Sequence, residues 1–152
     1  MERLIFHIDV NSAYLSWTAV EELKNGGKVD LRQIPAIIGG DQKSRHGVVL
    51  AKSPSAKKFG IRTGEPVVNA FRKCPNLIMR APDHRMYHEK SRRLMEYLRT
   101  FTEKIEQVSV DECYMDFTEI AYRFPSPQEG AEWIRDCLFY TSDAADDGES
   151  VD

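Results

Sequence analysis

The chain has 152 residues, 41% of them hydrophobic and 30% charged, with a formal charge of −3. That suits one domain or one and a half around a real core, and the acidic balance argues against a nucleic-acid binder, a class that is usually basic. The distribution removes that objection without supplying the opposite argument: from Cys137 onward there are five acids and no Lys or Arg, so residues 1–136 carry 21 basic against 19 acidic side chains, a mildly basic body that permits a phosphate-rich partner.

Residues 4–10 form an apolar run around His7 and predict a buried strand, too short for a signal peptide or a membrane span. The strand ends at Asp9-Val10-Asn11-Ser12, where Asn11 or Ser12 can cap a helix. Ala13, Trp17, Val20 and Leu23 follow with helical spacing until Gly26-Gly27 stops them. A second strand is expected over 34–38, a polar loop over 41–47 and a third strand over 48–51. A short helix over 55–59 closes at Gly60. Another spans 66–73, with Pro66 in its first turn, and ends before Pro75. Residues 77–79 predict a short strand. The longest helix runs over about 83–101, with Tyr87, Leu94, Leu98 and Phe101 near one face.

Residues 105–117 alternate like a strand but hold two adjacent acids, Asp111 and Glu112. In a regular strand one of them would enter the core unpaired, at high cost. A tight hairpin turn avoids this, either by leaving both acids in water or by aiming both at a cation. Ser126-Pro127-Gln128-Glu129 is a capping box that starts a last helix. Cys74, Cys113 and Cys137 show no C-x-x-C spacing and read as reduced cytoplasmic thiols.

Asp9 tips the reading of the acidic pair. A strand ending in Asp9 beside a hairpin carrying Asp111 and Glu112 gathers three carboxylates that need counter-charge. Mg²⁺ takes oxygen ligands and leaves places for substrate phosphates. Two such ions about 3.5–4 Å apart clamp the attacking and leaving oxygens of a phosphoryl transfer.

Phe6-His7-Ile8-Asp9-Val10-Asn11-Ser12-Ala13-Tyr14 resembles the first motif of Y-family (translesion) DNA polymerases. Ser109-Val110-Asp111-Glu112-Cys113-Tyr114-Met115-Asp116 resembles their S-[IV]-D-E-[AC]-[YF]-[LM]-D motif closely. Gly47-Val48-Val49-Leu50-Ala51-Lys52 through Lys57-Lys58-Phe59-Gly60-Ile61-Arg62-Thr63-Gly64 is similar to the family's fingers segment. The ordered set runs from about residue 4 to residue 136 and points to the bacterial polymerase IV-like branch.

The resemblance implies an α+β fold: a palm-type β-sheet with helices on one face plus a small α/β fingers subdomain, truncated. Residues 1–11 would be the first palm strand, 12–82 the fingers and 83–136 an incomplete second part of the palm. Residues 137–152 would be a non-native acidic tail, similar to a translated sequencing adapter. The implied metal ligands are Asp9, Asp111, Glu112 and the backbone carbonyl of Val10, binding two Mg²⁺, with the three acids catalytic. Tyr14 matches the aromatic that excludes a ribose 2′-OH. Lys57 stands where the family often has a triphosphate-contacting Arg; it keeps the charge but loses the bidentate fork. Pro54 replaces a phosphate-contacting Tyr, with Lys52 and Arg45 as nearby substitutes. Asn11 replaces an Asp that is not a principal ligand. The implied partners are primer-template DNA, a dNTP and a sliding clamp reached through sequence beyond this chain, with no membrane role.

The expected activity is template-directed transfer of a nucleotide from dNTP to a primer 3′-OH in translesion synthesis and DNA repair, in the cytoplasm, from a fragment inactive alone. A non-catalytic, palm-like nucleic-acid-binding module and a palm-type nucleotide cyclase are the competing readings. Retention of all three acids argues against the first, and the basic fingers segment against the second. His84 and His88, at i and i+4, lack a third zinc ligand and read as solvated or capping residues.

Overall fold

The computed structural model describes residues 2–10, 12–40 and 47–141, with side chains as far as Cys137. In chain order its regular elements are β1 (Ile5–Asp9), α1 (Ala13–Lys24), β2 (Ala36–Gly39), β3 (Val49–Lys52), α2 (Pro54–Lys58), α3 (Val67–Lys73), β4 (Ile78–Arg80), α4 (His84–Leu98), β5 (Ile105–Ser109), β6 (Glu112–Asp116) and α5 (Pro127–Thr141). They divide into two compact units, one built from residues 1–11 and 85–152, the other from residues 12–84. The fold is the expected mixed α+β arrangement of small sheets and helices.

The first unit is built on an antiparallel sheet of order β1-β6-β5. Strand periodicity divides its residues between two faces. Ile8, Cys113 and Met115 point into a core completed by Met95 and Leu98 of α4, Phe117, and Ile134 of α5. Ile5, His7 and Asp9 of β1, with Glu112 and Tyr114 of β6, alternate with these and keep partial or full exposure. Helices therefore contribute to the core on one face, while the other presents polar and aromatic side chains.

The buried stripe of α4 is Tyr87, Ser91, Met95 and Leu98. Leu94, expected on that face, is only partly buried and packs at its margin. Ser91 takes a core-facing place because Gln107 Nε2 donates to its hydroxyl (3.0 Å), which satisfies a polar group that burial would otherwise leave costly. The helix ends at Leu98, short of Phe101.

Pro127 opens α5 behind Ser126, whose hydroxyl oxygen accepts from the Glu129 N–H (3.2 Å). The expected reciprocal arm of the capping box is replaced by a contact between the two side chains (3.2 Å). The helix continues through Cys137 to Thr141, so the expected start of the acidic tail falls inside it. The tail from residue 142 lies outside the described residues.

In the second unit β2 lies between β3, antiparallel, and β4, parallel. All four β2 residues are buried, as a strand covered on both faces requires. Leu15 and Ala19 of α1 pack with Leu31, Ala36, Ile38 and Ala51. Ile37 and Val49 pack with Ala56 of α2 and with Val67 and Ala70 of α3. Ser53 caps α2: its oxygen accepts from the Ala56 N–H (3.1 Å) and the Ala36 N–H (3.0 Å), and its hydroxyl donates to the Ile34 carbonyl (2.7 Å). Pro54 is thereby the first residue of α2, where a missing N–H costs nothing.

Two local expectations change. Ser12 precedes α1 with φ 49° and ψ 43° and makes no side-chain cap. It is the one described non-glycine residue with positive φ, a conformation L residues seldom adopt. A short 3-10 turn over Leu31–Gln33, absent from the sequence reading, is anchored by Asp30, whose carboxylate accepts from the Arg32 N–H (2.9 Å).

Gly130 in α5 is packed closely against the core. A Cβ there would lie 2.6 Å from Cε1 of Phe117. That ring is fully buried and stacked on Phe6 at 4.5 Å, so it has nowhere to move. Alanine is the better helix former by about 1 kcal/mol, yet overpacking a tight core costs roughly 1–3 kcal/mol. We expect Gly130→Ala to lower the urea midpoint; a variant more stable than the parent would show that the ring yields.

Candidate active site

The site is assembled by backbone register. Asp9 is the last residue of β1 and Glu112 the first of β6, and they are paired Cα partners. The next rung is supplied by the Val10 N–H, which donates to the Asp111 carbonyl (2.9 Å). Ser109 pairs with Glu112 across β5 and β6, with a register shift between Gln107 and Ser109. Val110 and Asp111 are therefore the two residues of a hairpin turn. The turn resolves the conflict of two adjacent acids in an apolar strand, because neither enters the core. Asp9, Asp111 and Glu112 are all partly exposed at the same end of the sheet.

The acids carry a hydrogen-bond network. Glu112 Oε1 lies 2.6 Å from Nε2 of His7, and the His7 ring stacks on Tyr114 at 4.9 Å and 28°. Ser109 Oγ is 3.0 Å from Asp111 Oδ1 and 3.5 Å from Glu112 Oε2. His7, Ser109 and Tyr114 were not singled out from sequence as site residues. Period-two alternation already puts His7 on the face of Asp9, and Tyr114 on that of Glu112.

Whether these residues suit a divalent cation can be judged from donors and from geometry. The donors are oxygens, which hard cations such as Mg²⁺ prefer, and the register brings them to one edge. Among the described residues, however, no three His, Cys, Asp or Glu side chains converge tightly enough to hold an ion. Glu112 rests one carboxylate oxygen on His7 and keeps the other on the Ser109 side, so closing the set around a cation requires side-chain adjustment of the neighbouring acids on a fixed backbone. Asp116, at the far end of β6, serves the fold: its carboxylate accepts from the Thr118 N–H (2.9 Å). Hydrogen bonds from the Thr118 hydroxyl and N–H hold it below the usual carboxylate range.

In the second unit Tyr14 lies in the first turn of α1, half-buried, with its ring edge-on to His84 at 6.1 Å. Lys57 is exposed on α2. Lys52 ends β3, its ammonium 3.5 Å from the Thr63 hydroxyl. Arg45 lies outside the described residues, as do Asn11 and most of the 41–47 loop. No helix among the described residues is long and apolar enough to cross a membrane.

A model of the impB/mucB/samB family matches residues 8–141. The chain belongs to this family, the Y-family DNA polymerases. Among its relatives, the DNA polymerase IV of Clostridium acetobutylicum is 57% identical over 118 residues, covering 78% of this chain and 30% of that protein. The DNA polymerase IV of Bacillus anthracis is 38% identical over 136 residues, covering 90% of this chain and 31% of that one. The chain thus spans about a third of the length of these relatives. Among solved structures, a Y-family polymerase chimera of Dbh and Dpo4 superposes with a TM-score of 0.77, covering 97% of this chain and 40% of its own at 23% identity. A Dbh ternary complex gives 0.74 over 91% of this chain and 38% of its own, also at 23% identity. At that identity the superpositions speak for the fold. The Y-family match includes both acidic segments and extends to the last described residue of α5.

Cys113, between Glu112 and Tyr114, faces the core. Burial pushes its thiol up to about 11, with the neighbouring Glu112 charge adding to the rise against Arg99. At pH 8 it should stay protonated and resist iodoacetamide, whereas the half-buried Cys137 should be alkylated first. Peptide mapping by mass spectrometry checks the order; equal labelling would contradict the inward placement of Cys113.

Proposed function

We propose that this chain supplies the metal-binding edge and the nucleotide-facing helix of a translesion DNA polymerase. The reaction is template-directed transfer of a nucleotide from dNTP to a primer 3′-OH, in DNA repair, in the cytoplasm. The observation that carries the reading is the pairing of Asp9 with Glu112 at the sheet end where Asp111 occupies the turn, within a chain whose family is established. Residues 1–11 and 83–136 then belong to the palm and residues 12–82 to the fingers.

Y-family polymerases are in general divalent-metal dependent. Asp9, Asp111 and Glu112, with the Val10 carbonyl, would hold two Mg²⁺. When bound, such ions make the 3′-OH a better nucleophile and neutralise charge on the leaving pyrophosphate. The protein's own part is position and charge rather than covalent chemistry. Tyr14 would lie against the sugar and exclude a ribose 2′-OH. Lys57, Lys52 and Arg45 would neutralise the triphosphate as point charges, without the two-pronged grip of a guanidinium for the two lysines. The partners would be primer-template DNA and a dNTP, with a sliding clamp contacted by sequence outside this chain.

The test joins residues 1–136 in frame to the remainder of the Clostridium acetobutylicum relative and measures primer extension with Mg²⁺. Asp111→Asn or Glu112→Gln should each reduce the rate by about 10²–10³-fold, the scale of losing one electrostatic element of an active site. Tyr14→Ala should admit ribonucleotides. The 152-residue chain alone should not extend primers, because positioning of the reactants supplies about 7–11 kcal/mol and this chain spans only about a third of its relatives. Full activity without Asp111, or unchanged sugar selection without Tyr14, would refute the corresponding role.

A further inference from the structure

We propose that His7 is a positioning residue for Glu112, holding one carboxylate oxygen so that the other is presented towards a cation at the sheet end. The inference rests on the metal-site reading above and adds a residue to it.

Three observations converge on His7. Its Nε2 is 2.6 Å from Glu112 Oε1, although the residues are 105 apart in sequence. A carboxylate accepts only, so Nε2 must carry the proton and donate it. The register makes His7 the cross-strand partner of Tyr114, two residues beyond Glu112 on β6. His7 therefore reaches Glu112 along the diagonal of the pleat, a distance a long side chain spans. Finally, the ring is itself fixed, stacked on Tyr114 at 4.9 Å with 28° between planes. A stacked ring holds its donor in one direction where a flexible lysine would not.

The chemistry explains why such a donor would be useful here. Glutamate has one more rotatable bond than aspartate, and Glu112 begins a strand beside two other acids that repel it. Ser109 Oγ is closer to Asp111 Oδ1 than to Glu112 Oε2, at 3.0 against 3.5 Å, so the serine proton goes preferentially to Asp111. His7 is left as the stronger hydrogen-bond partner of Glu112. As an exposed pair, with 43% of the His7 and 32% of the Glu112 side chain accessible, the contact adds little to stability. Its consequence is direction: with Oε1 held, Oε2 faces the Ser109–Asp111 side of the site.

The test measures Mn²⁺ affinity of the 152-residue chain by electron paramagnetic resonance, with thermal melts confirming that each variant folds. His7→Phe keeps a ring to stack on Tyr114 but removes the donor, and should weaken Mn²⁺ binding by about 10-fold, the lower end for loss of a ligand-orienting hydrogen bond. His7→Gln restores an N–H at similar reach and should recover most of that loss. Glu112→Gln should weaken binding at least as much as His7→Phe. If Glu112→Gln weakens binding and His7→Phe does not, or if His7→Gln is as weak as His7→Phe, the positioning role is overturned while the metal site stands. If the parent chain binds no Mn²⁺, or Glu112→Gln binds as well as the parent, the metal-site reading falls and the role of His7 falls with it.

Discussion

The first unit depends on one pairing, that of β1 with β6. Five consecutive partners, from Ile5 with Asp116 to Asp9 with Glu112, join the start of the chain to a strand about a hundred residues later. All of the second unit lies between. An insertion of that size is affordable because loop-closure entropy grows only logarithmically, about 0.6 kcal/mol per doubling of length. Register is held by apolar burial: Ile8, Cys113 and Met115 share one core, with Phe6 packed against it. A slip of one residue would turn His7 and Asp9 inward and Ile8 outward. The forces that fix the core thus also decide which acids meet.

The same logic accounts for the acidic pair. The bulged register between Gln107 and Ser109 lets Ser109 face Glu112 and leaves Val110 and Asp111 to make the turn. Two adjacent carboxylates are then accommodated without burying either, while Cys113 and Met115 still reach the core. Repulsion among the acids is moderated by hydrogen-bond donors close at hand, the Ser109 hydroxyl and the His7 ring. On the proposed reading, a site that is costly to assemble suits phosphoryl transfer, a reaction governed by position and charge.

Much of this was legible in the sequence, for identifiable reasons. The run 4–10 has the composition of a buried strand, Gly26-Gly27 ends α1, and Ser126-Pro127 starts α5. The clash of adjacent acids with strand alternation itself called for a turn. The misses have physical causes. Ser12 has the right chemistry for a cap but takes a left-handed backbone in which its side chain makes no cap bond. Met95 rather than Leu94 lies in the α4 stripe, which also takes in Ser91, a polar residue satisfied by Gln107 that hydrophobic periodicity does not count. The Leu31–Gln33 turn depends on an Asp30–Arg32 interaction that hydrophobic periodicity does not register. The network through His7 was hidden because a lone histidine in an apolar run has no signature until its cross-strand neighbours are known.

The central claim is that Asp9, Asp111 and Glu112 act together as one cation site built by the β1–β6 register and the hairpin turn. Paramagnetic broadening locates such a site directly: Mn²⁺ is titrated at substoichiometric levels into the ¹⁵N-labelled 152-residue chain, and amide signals are followed residue by residue. The account predicts early, joint loss of the Asp9, Val10, Asp111 and Glu112 signals, with Ile5 and Asp116 at the far end of the same strands broadened later. Broadening centred elsewhere, or at the hairpin turn without Asp9, would contradict it.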